Sequence, residues 1–187
     1  MGSVLNIIKI GGNVIDDEEQ LLIFLEKFAA LQGKKILVHG GGKIATRLAE
    51  ELGIPAQLVE GRRVTDAKML DVVTMVYAGL TNKKIVASLQ KYGCDAVGLS
   101  GADGNVIKAV KRPVREIDYG FVGDILVDSV NTLSIKKFLE AGFTPIFSAI
   151  THNGMGQLLN TNADTIASAL AITLSKTYET SLIYCFE

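Results

Sequence analysis

Apolar runs of strand length alternate with helical periodicity from the start of the chain, and no other feature constrains its fold so strongly. Residues 4–10 (VLNIIKI) read as a buried strand. Residues 17–32 then place Leu21, Phe24, Leu25, Phe28 and Leu31 on one helical face, and Gly33 follows where a glycine stop belongs. Residues 35–39 (KILVH) read as the next strand and 43–52 (KIATRLAEEL) as the next helix, ended by Gly53. Repeated strand–helix order implies right-handed crossovers, so the expected class is α/β, with a mostly parallel central sheet and helices on both faces.

Further along, 57–65 (QLVEGRRVT) reads as a hairpin turning at Gly61, 66–92 as one or two helices, and 94–99 as a return to the sheet. Turns at Asp103-Gly104 and Tyr119-Gly120 predict an antiparallel excursion over 101–130. Helix 132–141, strand 143–149, helix 162–175 and strand 181–185 follow, with no repeat and no interdomain linker, so residues 1–187 are expected to form one domain. The last residue, Glu187, comes directly after a strand whose helix is missing, which is the pattern expected of a truncated protein.

Composition narrows the function. A net charge of -1 argues against a nucleic-acid partner, because binding a phosphate backbone normally leaves a basic surplus. No apolar run approaches the ~20 residues of a membrane span, and no basic-then-apolar leader opens the chain, so a cytoplasmic location is expected. Cys94 and Cys185 are too few and too far apart for a disulfide framework or a zinc site and read as reduced thiols; no protein-held metal is expected.

Two glycine clusters directly follow the first two strands: Lys9-Ile10-Gly11-Gly12 and His39-Gly40-Gly41-Gly42, the second just before a helix. Either is compatible with a mere tight turn. Together, at adjacent carboxyl ends, they are better explained by a shared anionic ligand held on backbone amides. Lys9 closes an otherwise apolar strand end and reads either as an edge lysine or as a cation directed at phosphate oxygens. Arg62-Arg63 is either an exposed pair or a bidentate clamp for a carboxylate. In Asn160-Thr161-Asn162-Ala163-Asp164, capping by Asn162 and dipole complementation by Asp164 account for two residues, and Asn160 is left unexplained.

Taken in order, KIGGN, VHGGGK, EGRRVT, TNKKIV, VGLSGADG, FVGDI and GQLLNTNADTIASALA resemble the acetylglutamate kinases of the amino-acid kinase family, and the likeness covers essentially the whole chain. It implies a three-layer α/β/α sandwich whose N-terminal part binds an N-acyl-glutamate and whose C-terminal part binds ATP, with magnesium carried by the nucleotide. It also implies transfer of the γ-phosphoryl group to the side-chain carboxylate, a step of arginine biosynthesis, in a homodimer. By motif, Lys9 resembles the lysine that stabilises the transferring phosphoryl group, and Asp164 the residue that orients the catalytic lysines. Gly41, Gly42, Arg63, Asn160 and Asn162 match substrate-side positions, and Gly11 and Gly12 the phosphate side. The family's nucleotide pocket and second catalytic lysine would lie past Glu187.

A reacting carboxylate is ionised at pH 7 and needs no general base, so such a site should be built of positioning and cationic groups. Two other chemistries compete. An esterase would use Ser100, Asp124 and His152 with His39-Gly40-Gly41-Gly42 as oxyanion loop, but Ala102 stands where the nucleophile elbow needs glycine. A nicotinamide enzyme would use Gly40, Gly42, Ala45 and Glu60, leaving Lys9, Arg63 and the Asn160 cluster idle. A catalytically silent amino-acid sensor on the same fold is the third alternative; Lys9 and Asp164 count against it. The helix over 69–80 is apolar on more than one face, which fits a dimer contact.

Overall fold

The computed structural model describes residues 4–126 and 128–186; residue 127, within the expected excursion, lies outside them. In chain order the elements are β1 (Val4–Ile10), α1 (Gly12–Asp16), α2 (Glu18–Ala30), β2 (Lys34–His39) and α3 (Gly42–Glu51). The hairpin β3 (Leu58–Val59) and β4 (Arg62–Arg63) follows, then α4 (Ala67–Val73), a π-helical segment Thr74–Thr81, and α5 (Asn82–Lys91). The chain continues through β5 (Ala96–Leu99), β6 (Val110–Lys111), β7 (Gly123–Asp124) and α6 (Thr132–Glu140). It closes with β8 (Thr144–Ser148), β9 (Ile150–His152), β10 (Leu158–Asn160), α7 (Ala163–Leu174) and β11 (Glu179–Cys185).

Five strands form one all-parallel sheet in the order β11-β1-β2-β8-β5. Such a sheet is covered on both faces, which is why its strands are continuous apolar runs. Leu5, Ile7, Ile36, Val38, Leu99 and Phe147 pack on one face with residues of α3, α4, α6 and α7. Ile8, Ile10, Leu37, Ala96 and Ile146 pack on the other with α1, α2 and α5. The molecule is therefore a three-layer α/β/α sandwich. Strand alternation puts Lys9 on the α7 face and turns Ile10 to the opposite one.

Several local details depart from the sequence reading. One of the two readings of 66–92 holds, a single helical run from Ala67 to Lys91, but its middle adopts the rarer i→i+5 winding, which was not expected. The α2 helix stops at Ala30, so Leu31 leaves the helical face and is 40% exposed. The short α1 and the β9–β10 hairpin had not been anticipated. The hairpin at Glu60-Gly61 does turn where expected, with φ of 50° and 73° at its two central residues. Over 69–80, Met69, Leu70, Val72, Val73, Val76 and Tyr77 are covered by the chain's own core, leaving Met75 and Leu80 exposed.

Candidate active site

Register brings the ends of β1, β2 and β8 to one edge, with Ile10 opposite His39 and His39 opposite Ser148. The glycine loops, the hairpin and the start of α7 converge there, at the carboxyl ends of the strands, where open α/β sheets place their ligands. A pocket of about 190 Å³ opens between them. Gly41, Gly42, Arg63, Asn160 and Asn162 all line it. A larger groove of about 550 Å³, bordered by α1, α2 and α5, contains none of these residues.

Arg63 is the centre of the pocket's electrostatics. Its side chain is buried, with Nη2 donating to Gly42 O at 2.9 Å and to Thr46 Oγ1 at 2.7 Å. Among the described residues no carboxylate pairs with it. A buried guanidinium without a counter-charge is costly unless a ligand supplies one. Arg62, its neighbour, is exposed.

The hairpin is tied down from behind. Thr65 N donates to Tyr119 O and Phe121 N to Thr65 O, at 2.9 and 2.7 Å. A Cβ on Gly120, where φ is +70°, would lie 2.2 Å from Thr65 O, so this crossing requires glycine. Asn160 Nδ2 donates to Thr65 Oγ1 at 3.0 Å, joining β10 to the same assembly. Its Oδ1 meets no intramolecular donor among the described residues. Asn162 caps α7 by accepting from Thr165 N at 3.0 Å, which leaves its amide nitrogen to the pocket it lines.

Lys9 and Asp164 stand beside this pocket rather than in its wall. Lys9 Nζ lies 2.8 Å from Asp164 Oδ1, with the Phe186 ring 4.8 Å from the ammonium. Lys9 is nearly buried while Asp164 is half-exposed, so the carboxylate fixes a lysine whose route to solvent is short. The Gly11 amide departs from expectation: it donates to Cys185 O at 2.7 Å, and a Cβ there would come within 3.3 Å of Phe186 Cα. Gly11 is thus small so that β1 and β11 can approach. Gly12, the exposed first residue of α1, is the member of the pair whose amide has no such partner.

Tyr77 was missed by the sequence reading. Alone, a tyrosine in an apolar helix signals core packing. The π-helical winding brings it and Thr81 beneath Gly41, where a Cβ would lie 3.1 Å from the Tyr77 ring and 3.2 Å from Thr81 Oγ1. Burial pushes the Tyr77 phenol up, with Arg63 opposing, so it stays neutral. Val122, Ala149 and Thr161 complete a partly apolar wall.

The residues of the rival chemistries do not assemble. Ser100 Oγ donates to Asp103 Oδ2 at 2.8 Å, and Asp124 is held by Arg112 in a bidentate pair. His152 Nδ1 accepts from Gly154 N. Glu60 sits in the hairpin turn. No group of three or more His, Cys, Asp or Glu side chains gathers into a metal-binding set among the described residues.

The amino acid kinase family model matches residues 5–184, nearly the whole chain. The chain belongs to the amino acid kinase family. Within it, the chain is 52% identical over 187 residues to an acetylglutamate kinase of Bacteroides thetaiotaomicron, covering 100% of this chain and 72% of that protein. It is 54% identical over 184 residues to the acetylglutamate kinase of Cytophaga hutchinsonii, covering 98% of this chain and 69% of that one. Among solved structures it superposes on smu.665 from Streptococcus mutans with a TM-score of 0.79 at 28% identity, over 91% of this chain and 69% of that one. An N-acetylglutamate synthase from Neisseria gonorrhoeae, at 23% identity and a TM-score of 0.80 over 98% of this chain and 41% of that one, shares the fold.

Proposed function

We propose that this amino acid kinase transfers the γ-phosphoryl group of ATP to the side-chain carboxylate of N-acetyl-L-glutamate, a step of arginine biosynthesis. The observation that carries the reading is the buried Arg63, without a described carboxylate partner, in a pocket that also presents the side-chain amides of Asn160 and Asn162 and the backbone of the glycine loop. Such a lining suits an anion that also carries amide groups. Identities of 52% and 54% to acetylglutamate kinases support the same substrate.

The substrate carboxylate, with a pKa of about 4.3, is already ionised at neutral pH. One of its oxygens attacks the γ-phosphorus, the bond from that phosphorus to the β-bridging oxygen breaks, and ADP leaves with the electron pair; no proton has to move. The obstacle is repulsion between two anions. Lys9 offsets it from beside the pocket, held by Asp164, and the Gly41 and Gly42 amides offset it from the loop. Arg63, Asn160 and Asn162 grip the acyl-amino acid, and Gly12 stands on the phosphate side with Gly11 packing behind it. Magnesium bound to ATP would add further charge neutralisation, and Asp164 is committed to Lys9.

We read the protein as cytoplasmic; no described helix is long and apolar enough to cross a membrane. We also read it as a homodimer packed partly on the long helix, where Met75 is 53% and Leu80 47% exposed. The reaction is tested by supplying the intact enzyme with magnesium-ATP, N-acetyl-L-glutamate and hydroxylamine, which converts an acyl phosphate to a hydroxamate. Hydroxamate should form in step with ADP, and ADP release with no hydroxamate would contradict the carboxylate as acceptor.

A further inference from the structure

His39 closes β2 with its side chain fully buried, and the reaction above gives a histidine nothing to do. Its surroundings assign its tautomer. Asn82, also fully buried, donates from Nδ2 to Ile146 O at 2.9 Å, and a carbonyl can only accept. The same nitrogen lies 3.0 Å from His39 Nε2, so Nε2 accepts and carries no proton. The ring proton is therefore on Nδ1, which stands 2.9 Å from Gly40 O and donates to it.

That bond governs a peptide plane. The peptide between Gly40 and Gly41 is trans and planar, so its C=O and N–H point in opposite directions. Drawing the Gly40 carbonyl back toward His39 turns the Gly41 N–H outward, and no acceptor among the described residues takes it. Gly40, Gly41 and Gly42 line the pocket on that side. Tyr77 and Thr81 back the loop and hold Gly41 at a φ of +149°.

We infer that His39 and Asn82 are positioning residues, which through the Gly40 carbonyl aim the Gly41 amide at the anionic groups reacting in the pocket. The inference rests on the kinase reading and adds to it a control on one of its charge-stabilising amides. Two buried polar side chains stand here although an apolar pair would carry no desolvation cost. Asn82 itself is pinned by Lys83 Nζ at 3.2 Å from its Oδ1, extending the chain of hydrogen bonds to the start of α5.

Two substitutions separate aiming from packing. His39→Asn keeps an amide nitrogen at the place of Nδ1 and can still donate to Gly40 O. His39→Gln keeps more of the ring's volume but sends its amide toward Asn82. With the intact enzyme, His39→Asn should retain kcat/KM for N-acetyl-L-glutamate within about tenfold of the parent, while His39→Gln loses about 100-fold, the scale of a misdirected anion donor. The Tm values should not follow that order, with His39→Gln at least as stable as His39→Asn. Activities that rank with Tm, or two variants equal to the parent, would overturn the inference. A parent without acyl-glutamate-dependent transfer would sink the kinase reading, and this inference with it. Nitrogen chemical shifts of the His39 ring in the parent give an independent check: protonation at Nδ1 supports the assignment, and protonation at Nε2 overturns it.

Discussion

Acidification from pH 7.5 to pH 5 should destabilise this fold through His39. Burial lowers the His39 pKa from 6.5 to about 4, Lys83 adds to the effect, and the bond to Gly40 opposes it. Because the folded value lies below the unfolded one, the unfolded chain binds a proton that the native protein refuses between those pH values. The contribution is fully present above about pH 6.5 and is lost as pH falls toward about 4. At about 1.4 kcal/mol per pH unit the ceiling is about 3 kcal/mol, and linkage puts the loss between pH 7.5 and pH 5 at about 2 kcal/mol. The assay is urea unfolding at those two pH values for the parent and for His39→Asn. His152, whose pKa is also lowered by burial and by Lys108, is common to both proteins and drops out of the difference. A variant less stable at neutral pH, but with about 2 kcal/mol less pH dependence, is expected. Equal pH dependence in the two proteins would refute the argument.

Gly41→Ala is expected to lower kcat/KM by about 100-fold or more, because φ of +149° and a Cβ 3.1 Å from the Tyr77 ring force the loop to move; activity within a few-fold of the parent would place the loop outside the site. Phe147→Ala, at a fully buried position in the central sheet, should cost about 3–5 kcal/mol in chemical denaturation, and a cost below about 1 kcal/mol would contradict the packing described. Leu80→Asp should convert a dimer to a monomer in light scattering at micromolar concentration; a parent that is already monomeric removes the proposed contact.

The sheet was legible because a parallel, doubly covered sheet writes itself as apolar runs: Ile7 to Ile10, Ile36 to Val38, Ile146 to Phe147. The hairpin was legible because Gly61 marks a turn that needs positive φ. Other elements left too little trace. The five residues of α1 span barely more than one helical turn, and β9 and β10 have three residues each, below the length at which alternation can be counted. Winding over Thr74–Thr81 is a backbone choice within a segment apolar all round, so no periodicity betrays it. Within the site, the glycine loops and Arg63 carried chemical signals of their own. Tyr77, Val122 and Ala149 did not, since they join the pocket only through tertiary packing. Gly11 was read as an amide donor to a ligand, whereas its amide is spent on Cys185, a strand partner more than a hundred residues away.

The central claim is a division of labour: Lys9 acts on the phosphoryl group in flight, and Arg63 holds the acyl-amino acid. Steady-state ADP release by the intact enzyme, with N-acetyl-L-glutamate varied at saturating magnesium-ATP, tests it most directly in Lys9→Ala and Arg63→Lys. Lys9→Ala should lower kcat by about 100-fold or more with KM nearly unchanged, because its charge matters chiefly as transfer proceeds. Arg63→Lys should raise KM at least about tenfold with a smaller effect on kcat, since an ammonium keeps the charge but loses the planar fork that reaches Gly42 and Thr46. The reverse pattern, or a Lys9→Ala enzyme turning over within a few-fold of the parent, would contradict the account.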